Sequence, residues 1–402
     1  MTSTAPAPST TSTTARHFAL AVLALSMGGF TIGTTEFVTM GLIREIAAGV
    51  HVSIPSAGHL ISAYALGVVV GAPVLAFFGA RWPRRGLLLA LMTAYGVFNA
   101  LSAVAAGFGM LLVARFLAGL PHGAYFGVAS LVAASLAPAG RKGRAVAMVM
   151  IGLSVANVVG VPAATWMGQH LGWRSAFWAV SALALLTMAM VLAFVPGCPG
   201  DPEATGRREL RAFAHLQVWL TLLAGAIGFG GMFAVFSYIA PTVTEVGGLG
   251  DGAVPVFLLV FGLGMVVGTF AAGELADWSI LRSLLGSSLG MGLVLLAFWA
   301  VAPYGWWLLP LAFGVTFLGS VLVVNLQLRL MDVAGEAQTL GAAMNHASLN
   351  VANALGAWLG GVVIAAGHGF RSPALVGAAL CAAGFLVIVL SAAHHVRGRP
   401  AE

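Results

Sequence analysis

Runs of about twenty apolar residues, each long enough to cross a bilayer as a helix, recur twelve times along the chain. They cover 18–41, 57–79, 86–107, 109–135, 145–168, 174–195, 216–241, 254–276, 283–302, 306–328, 338–366 and 373–394. The two longest are expected to tilt or to run past the hydrocarbon. The longest polar interruption, 196–215, predicts a linker between two six-helix halves, 17–195 and 216–395. Residues 1–16, rich in Ser, Thr, Pro and Ala, and residues 396–402 predict short tails. The first run lacks an A-x-A-like cleavage site behind a short apolar core, so it reads as an uncleaved span.

The two halves share a pattern. Tyr64–Gly71 (YALGVVVG) reappears 197 positions later as Phe261–Gly268 (FGLGMVVG). Arg85 falls on Arg282 in the same register, Val155-Ala156-Asn157 on Val351-Ala352-Asn353 (196 apart), and Arg174-Ser175 on Arg371-Ser372. Two copies of a roughly 200-residue unit in so apolar a chain are the sequence mark of a repeat-built membrane transporter. The expected fold is therefore an all-α membrane protein of twelve transmembrane helices, arranged as two pseudo-twofold-related six-helix bundles.

Composition strengthens this reading. Only 7% of the 402 residues are charged and 60% are hydrophobic, with a mean hydropathy of +0.99. Soluble domains carry about 25% charged residues, so a water-soluble fold is excluded. The 53 glycines are about twice the ordinary ~7% share, an excess that suits close helix packing in lipid. Four runs place small residues at i, i+4 spacing: Ala63, Gly67, Gly71; Gly152, Ala156, Gly160, Ala164, Gly168; Gly264, Gly268, Ala272, Ala276; and Ser348, Ala352, Gly356, Gly360. These are the second and fifth helices of each half, and their equivalence predicts a shared interface.

Charge orients the chain. With an even number of spans both termini lie on one side. A cytoplasmic N-terminus places fourteen of the eighteen Lys and Arg residues inside: Arg16, Arg81, Arg84, Arg85, Arg141, Lys142, Arg144, Arg207, Arg208, Arg211, Arg282, Arg329, Arg397 and Arg399. The positive-inside rule selects that orientation. Despite the pI near 10, these residues are spread over short loops and form no patch for nucleic acid. Cys198 and Cys381 suggest neither a disulfide framework nor a metal site, and no cofactor is expected.

Several motifs resemble the major facilitator superfamily, over residues 17–395. The loop Ala80-Arg81-Trp82-Pro83-Arg84-Arg85 is similar to the family's G-x-x-x-D-R-x-G-R-R loop, with Ala76, Ala80 and Pro83 at its Gly, Asp and Gly positions. The second half keeps the missing acid in Gly273-Glu274-Leu275-Ala276-Asp277. Arg115-Phe116-Leu117-Ala118-Gly119 resembles the R-x-x-x-G motif of span four. Gly160-Val161-Pro162 with Gly168 resembles the antiporter signature G-x-x-x-G-P-x-x-G, its Gly-Pro pair interrupted by Val161. Thr34-Thr35-Glu36-Phe37 with Gly41-Leu42-Ile43 looks like the twelve-span drug:proton antiporter branch that includes arabinose-efflux-like, sugar-efflux and chloramphenicol-resistance permeases. The resemblance implies a monomeric multi-pass protein of the bacterial inner membrane. It also implies that Arg81, Arg85, Glu274, Asp277 and Arg282, in loops at the cytoplasmic ends of spans, pin an inner gate.

Ionisable groups within spans cost about 2.5–3.5 kcal/mol on insertion scales, so Glu36 and Arg115 are the first candidates for chemistry. Both are expected in the outer part of the membrane, facing one another or a common polar cavity. Burial favours an uncharged Glu36 while a neighbouring guanidinium favours the carboxylate. A shift between those influences is what proton coupling needs. A permanent ion pair and a headgroup anchor are the alternatives. His122 is a candidate relay or a packing residue. His346, Asn350 and Asn353 share a face, and Asn157 and Asn353 read as interhelical glue. Met27, Phe30, Tyr64, Tyr125, Phe126, Phe229, Phe233 and Tyr238, with His346 and Asn350, are candidate cavity residues. Gly152, Gly160, Pro162, Gly168, Gly264, Gly268, Gly356 and Gly360 are assigned to packing. No G-x-x-x-x-G-K-[ST] loop occurs, and no nucleophile or metal constellation suggests an enzyme. The expected function is proton-coupled efflux of small neutral or amphipathic molecules. Sugar, nucleoside or metabolite export by the same fold is the alternative.

Overall fold

The computed structural model describes residues 10–52, 54–79, 81–197 and 211–397. Residues 1–9 of the expected tail 1–16, Ser53, Ala80, Cys198, most of the linker and residues 398–402 lie outside them, whereas 10–16 of that tail are helical and open the first helix. The long helices are α1 (Thr10–Gly41), α2 (Ile54–Gly79), α3 (Arg84–Ala103), α4 (Phe108–Leu136), α5 (Lys142–Leu171), α6 (Arg174–Phe194) and α7 (Leu216–Phe236). A continuous run, Val254–Val301, supplies α8 (254–278) and α9 (280–301). It is followed by α10 (Leu308–Val333), α11 (Gln338–Val363) and α12 (Ser372–Arg397). A short helix, Ile43–Gly49, occupies a stretch that reads as loop in the sequence, and its Ile46 and Ala47 are buried.

Ten helical runs among the described residues are long and apolar enough to cross a membrane. One of the ten, Val254–Val333, contains three of the sequence-predicted spans, because the backbone stays nearly helical through the turns between them. Ser279 (φ −169, ψ 108) breaks the first turn. Tyr304 and Gly305 break the second, with Gly305 at φ 58, a conformation glycine adopts without a Cβ penalty. A Cβ on Gly268 would meet Phe317 and one on Gly290 would meet Leu318. The arms α8 and α9 therefore fold back along the same stretch of α10.

Within α5, one π-helical turn, Ala156–Gly160, precedes Pro162. Proline has no N–H to give the fourth carbonyl behind it, and a widened turn absorbs that mismatch. On either side of it Gly152 and Gly160 lie against α1, and Gly168 lies against Leu42 just beyond its end.

Helices α1–α6 pack mainly on one another, and so do α7–α12. The crossings between the two sets run through α5 with α8 and α10, and through α11 with α4 and α2. The four glycine ladders do not meet at one shared interface. Each serves a contact inside its own set, and the two sets repeat each other. A Cβ on Gly67 or Gly71 would fall 2.1 Å from the carbonyl oxygens of Phe116 and Leu120. On Gly264 or Gly268 it would fall 2.6 and 2.4 Å from those of Phe313 and Phe317, each 197 residues further on. Gly152 and Gly160 lie likewise against Ser26, Phe30 and Thr34 of α1, and Gly356 against Gly230 and Ala234 of α7. Gly360 lies against the Tyr238 ring just beyond α7, and Gly168 against Leu42. Pro162 is exposed. The hydrophobic effect does not press helices together in lipid, so this close van der Waals approach has to do so.

These contacts predict that Gly71→Ala and Gly268→Ala each lower the thermal midpoint of the detergent-solubilised protein, by about 1–3 kcal/mol of overpacking. Gly86→Ala, whose Cβ would have nothing within 4 Å, leaves it unchanged. Equal effects at all three positions would show that the backbones do not approach so closely.

Candidate functional site

A cavity lies between the two helix sets. Its walls come from α1 (Glu36, Phe37), α5 (Met150, Leu153, Ser154), α7 (Phe229, Met232, Phe233), α8 (Met265, Thr269), α10 (Ser320, Val323, Val324) and α11 (His346, Leu349, Asn350, Asn353). Three methionines and the phenylalanines make an adaptable apolar surface. A few polar groups interrupt it, the usual composition of a small-molecule site. Ser154 and Thr269 close one wall with a hydroxyl pair 2.9 Å apart across the two sets.

Glu36 is half-buried in this wall. Among the described residues its carboxylate accepts no hydrogen bond and forms no ion pair. Arg115 is fully buried and does not line the cavity. Its Nη2 donates to the Thr35 carbonyl at 3.4 Å, one residue from Glu36, and its Nε and Nη1 have no partner. The guanidinium lies 4.3 Å from the Tyr64 ring centroid and 5.7 Å from that of Phe177. Desolvating an ion costs several kcal/mol, whereas a desolvated cation–π contact returns about 2 kcal/mol. The packing seen here therefore leaves Arg115 short of compensation. The acid and the guanidinium feel each other's charge without touching, so a permanent ion pair is not what the structure shows.

Behind Glu36 runs a hydrogen-bond chain. Tyr95 donates to the Ile32 carbonyl at 3.3 Å, Tyr95 and Tyr64 hydroxyls are 3.1 Å apart, and Tyr64 is 3.0 Å from His122 Nδ1. His122 Nε2 is 3.1 Å from His346 Nδ1 on α11, across the two sets. His122 is thus not an isolated packing residue, and the sequence alone does not reveal its partner 224 positions away.

Of the expected cavity residues, Phe229, Phe233, His346 and Asn350 line this space, and the other six do not. Tyr64 belongs to the chain just described. Tyr125 is fully buried with its hydroxyl on the Leu25 carbonyl. Phe126 stacks on the His346 ring, centroids 4.1 Å apart. Phe30 packs on Gly160. Tyr238 donates to the Ala357 carbonyl, and Met27 lies outside the walls. Asn353 faces the cavity, while Asn157 donates to the Leu153 carbonyl of its own helix, so neither bridges helices. Met150, Ser154, Met232, Met265, Thr269 and Ser320 are wall residues that sequence reasoning missed.

At one end of the α5–α8 crossing the sets are clamped. Asp277 accepts hydrogen bonds from the backbone N–H of Gly143 at 2.8 Å and of Arg144 at 3.3 Å. Those N–H groups are among the unpaired donors of the first α5 turn, where the helix dipole also favours an anion. Arg144 pairs with Glu274 and lies 3.5 Å from Asp277. The cation of this clamp is therefore Arg144, which in the sequence reads only as an anchoring residue. Arg85 instead donates to the Leu192 carbonyl within its own set, and Arg282 stands over the Trp278 ring at 5.2 Å. Neither bridges the sets. Arg81 is exposed. The sets approach closely here, since a Cβ on Gly143 would lie 2.8 Å from Ala276 Cβ and 3.0 Å from the Gly273 carbonyl oxygen.

Losing the Asp277 carboxylate removes two charge-assisted hydrogen bonds, each worth about 1.5–3 kcal/mol. Asp277→Ala is thus predicted to raise the maleimide labelling rate of a reporter Ser135→Cys, in the crevice beside the clamp, while Arg85→Ala leaves it unchanged. A rate unaffected by Asp277→Ala would show that the clamp does not hold the sets together.

Comparison with known proteins places this geometry. The chain matches the Major Facilitator Superfamily over residues 25–345. It is 40% identical over 380 residues to the inner membrane transport protein YdhP of Escherichia coli K12, covering 92% of this chain and 95% of that one. It is 36% identical over 364 residues to a chloramphenicol resistance protein of Streptomyces lividans, covering 89% and 91%. The fold is similar to that of the E. coli fucose:proton symporter FucP, with a TM-score of 0.74 at 14% identity over 93% of this chain and 99% of that one. This chain, a multi-pass membrane transporter and not an enzyme, belongs to the Major Facilitator Superfamily.

Proposed function

We propose that the protein is a proton-coupled exporter of small neutral or amphipathic molecules, working by alternating access of the central cavity. In this reading twelve spans form two pseudo-twofold-related bundles, 17–195 and 216–395, in the bacterial inner membrane. Both termini are cytoplasmic, and the exporter works as a monomer. The state described is the one closed on the side of the basic loops, where Asp277 caps α5.

One observation carries the reading. Among the described residues Glu36 is the only acid in the cavity wall and is unpaired, next to a buried guanidinium that lacks full compensation. Protonated, Glu36 sits in an apolar wall at far lower cost than the carboxylate does. Deprotonated, it gains from moving toward Arg115. A proton thus has different affinities in two arrangements of α1 and α4, and such a difference lets it shift a conformational equilibrium. Exchange follows if substrate occupies the cavity only in the deprotonated arrangement. The apolar wall, with its methionines, favours drug-like neutral molecules. The likeness to a chloramphenicol resistance protein supports the same class. The polar stripe of Ser320, Asn350 and Asn353 favours the second reading, export of a sugar, nucleoside or other metabolite.

The test is reconstitution in liposomes with an internal pH dye, offering antibiotics, sugars and nucleosides in turn. Proton flux is expected only with a true substrate: a lipophilic antibiotic supports the first reading, a sugar or nucleoside the second. Glu36→Gln is expected to cut that flux at least tenfold, about 1.4 kcal/mol or more. Flux at the wild-type rate in Glu36→Gln would remove the carboxylate from the mechanism.

A further inference from the structure

The chain from Ile32 to His346 has a direction. A carbonyl oxygen only accepts, and a hydroxyl carries a single hydrogen. Tyr95 gives its hydrogen to the Ile32 carbonyl, so the Tyr64–Tyr95 bond is made by Tyr64 donating. With its hydrogen used, Tyr64 accepts from His122, which must carry its proton on Nδ1. The Nε2 of a neutral His122 is then bare and accepts from His346 Nδ1–H. No other arrangement of neutral groups makes all four bonds at once. The direction leaves His346 with a bare Nε2. That atom is buried and has no partner, although its residue lines the cavity. The parallel Phe126 ring, tilted by only 14°, fixes the imidazole plane.

We propose that His346 Nε2 is the cavity's preset hydrogen-bond acceptor, and that it selects uncharged molecules carrying an O–H or N–H donor. The proposal rests on reading the cavity as the substrate site and adds the chemistry that the site recognises. The donors that set the tautomer are on α2, α3 and α4, whereas the acceptor is on α11. The acceptor is therefore fixed only while α4 and α11 are in contact. A donor-bearing molecule binds that closed arrangement more tightly than one in which the sets have parted at His122, so substrate and seam are coupled. The chain ends on a carbonyl that cannot take a proton, which makes it an orienting device and not a conducting wire. Tyr95, Tyr64 and His122 are positioning residues, and His346 is the specificity-determining contact.

The test is a 15N spectrum of the full-length protein, labelled at histidine, in lipid nanodiscs at neutral pH. His346 is assigned by its loss in His346→Gln or, should that variant not fold, in His346→Asn. The expected result is a protonated Nδ1 and a bare, pyridine-type Nε2. Tyr64→Phe, which removes the acceptor for His122 together with the donor to Tyr95, is expected to turn that single tautomer into a mixture. Phenol is expected to shift the Nε2 resonance, while anisole, the same ring without the O–H, does not. A protonated Nε2 in the wild type, an unchanged tautomer in Tyr64→Phe, or a phenol shift no larger than that of anisole would overturn the proposal. The tautomer is read without any transport measurement, so it stands apart from the flux result of Glu36→Gln.

Discussion

Hydrocarbon offers no hydrogen bonds, and every polar group held at membrane depth must find its partner inside the protein. That constraint organises the molecule. Backbone polar groups are satisfied by helices. Serine and threonine hydroxyls turn back on their own helices, as Thr31, Thr34, Thr221 and Ser287 do on carbonyls one turn earlier. Several of the polar side chains that remain pair where α4 and α5 meet α8, α10 and α11: Ser130 with Gln327, which Asn345 joins, Ser154 with Thr269, His122 with His346. The surface between the sets is thus polar and hydrogen-bonded. The surfaces within each set are bound by close glycine contacts, with a few buried polar pairs such as Thr31–Thr187, Thr35–Asn99 and Tyr64–Tyr95 among them.

The division has a mechanical meaning. Contacts within a set bring backbone against backbone at distances that tolerate no side chain, as at Gly67 and Gly264. Such contacts make each set stiff. Contacts between sets combine close approaches, such as Gly127 against the Thr339 carbonyl, with hydrogen bonds worth about 0.5–1.5 kcal/mol net each, or about 1.5–3 kcal/mol at the Asp277 clamp, which can be exchanged for others or for water. Two glycine-packed sets joined by an exchangeable polar seam are the arrangement that the proposed alternating access requires. Glu36, unpaired in the cavity wall, and Arg115, short of partners behind it, lie on α1 and α4 of the first set.

Much of this was legible in the sequence wherever a physical cost made residues rare or periodic. The 197-residue register predicted contacts that recur 197 residues apart, because a glycine ladder and the helix it touches are duplicated together. Glu36 and Arg115 stood out because charge in a span is expensive. Wall residues were less legible. Methionines and phenylalanines fill every face of such a bundle, so Met150 and Met265 gave no signal, whereas Tyr64 and Tyr125, expected as aromatic cavity residues, turn their hydroxyls to neighbours and backbone. Arg144 was hidden among loop arginines that share one composition signal, and only the α5 start facing Asp277 distinguishes it. The His122–His346 contact joins residues on non-equivalent helices of the two repeats, and no periodicity connects them.

The central claim is that the two sets rock as bodies about the cavity, opening one end as the other closes. After replacement of Cys198 and Cys381, pairs of spin labels at Ala139→Cys with Arg282→Cys, and at His51→Cys with Glu245→Cys, report the two ends of the seam. Pulsed electron resonance distances measured in lipid across a pH titration test the claim most directly. The account predicts two populations at each end, with the first distance lengthening as the second shortens. Single distances that do not change with pH, or two that lengthen together, would contradict it.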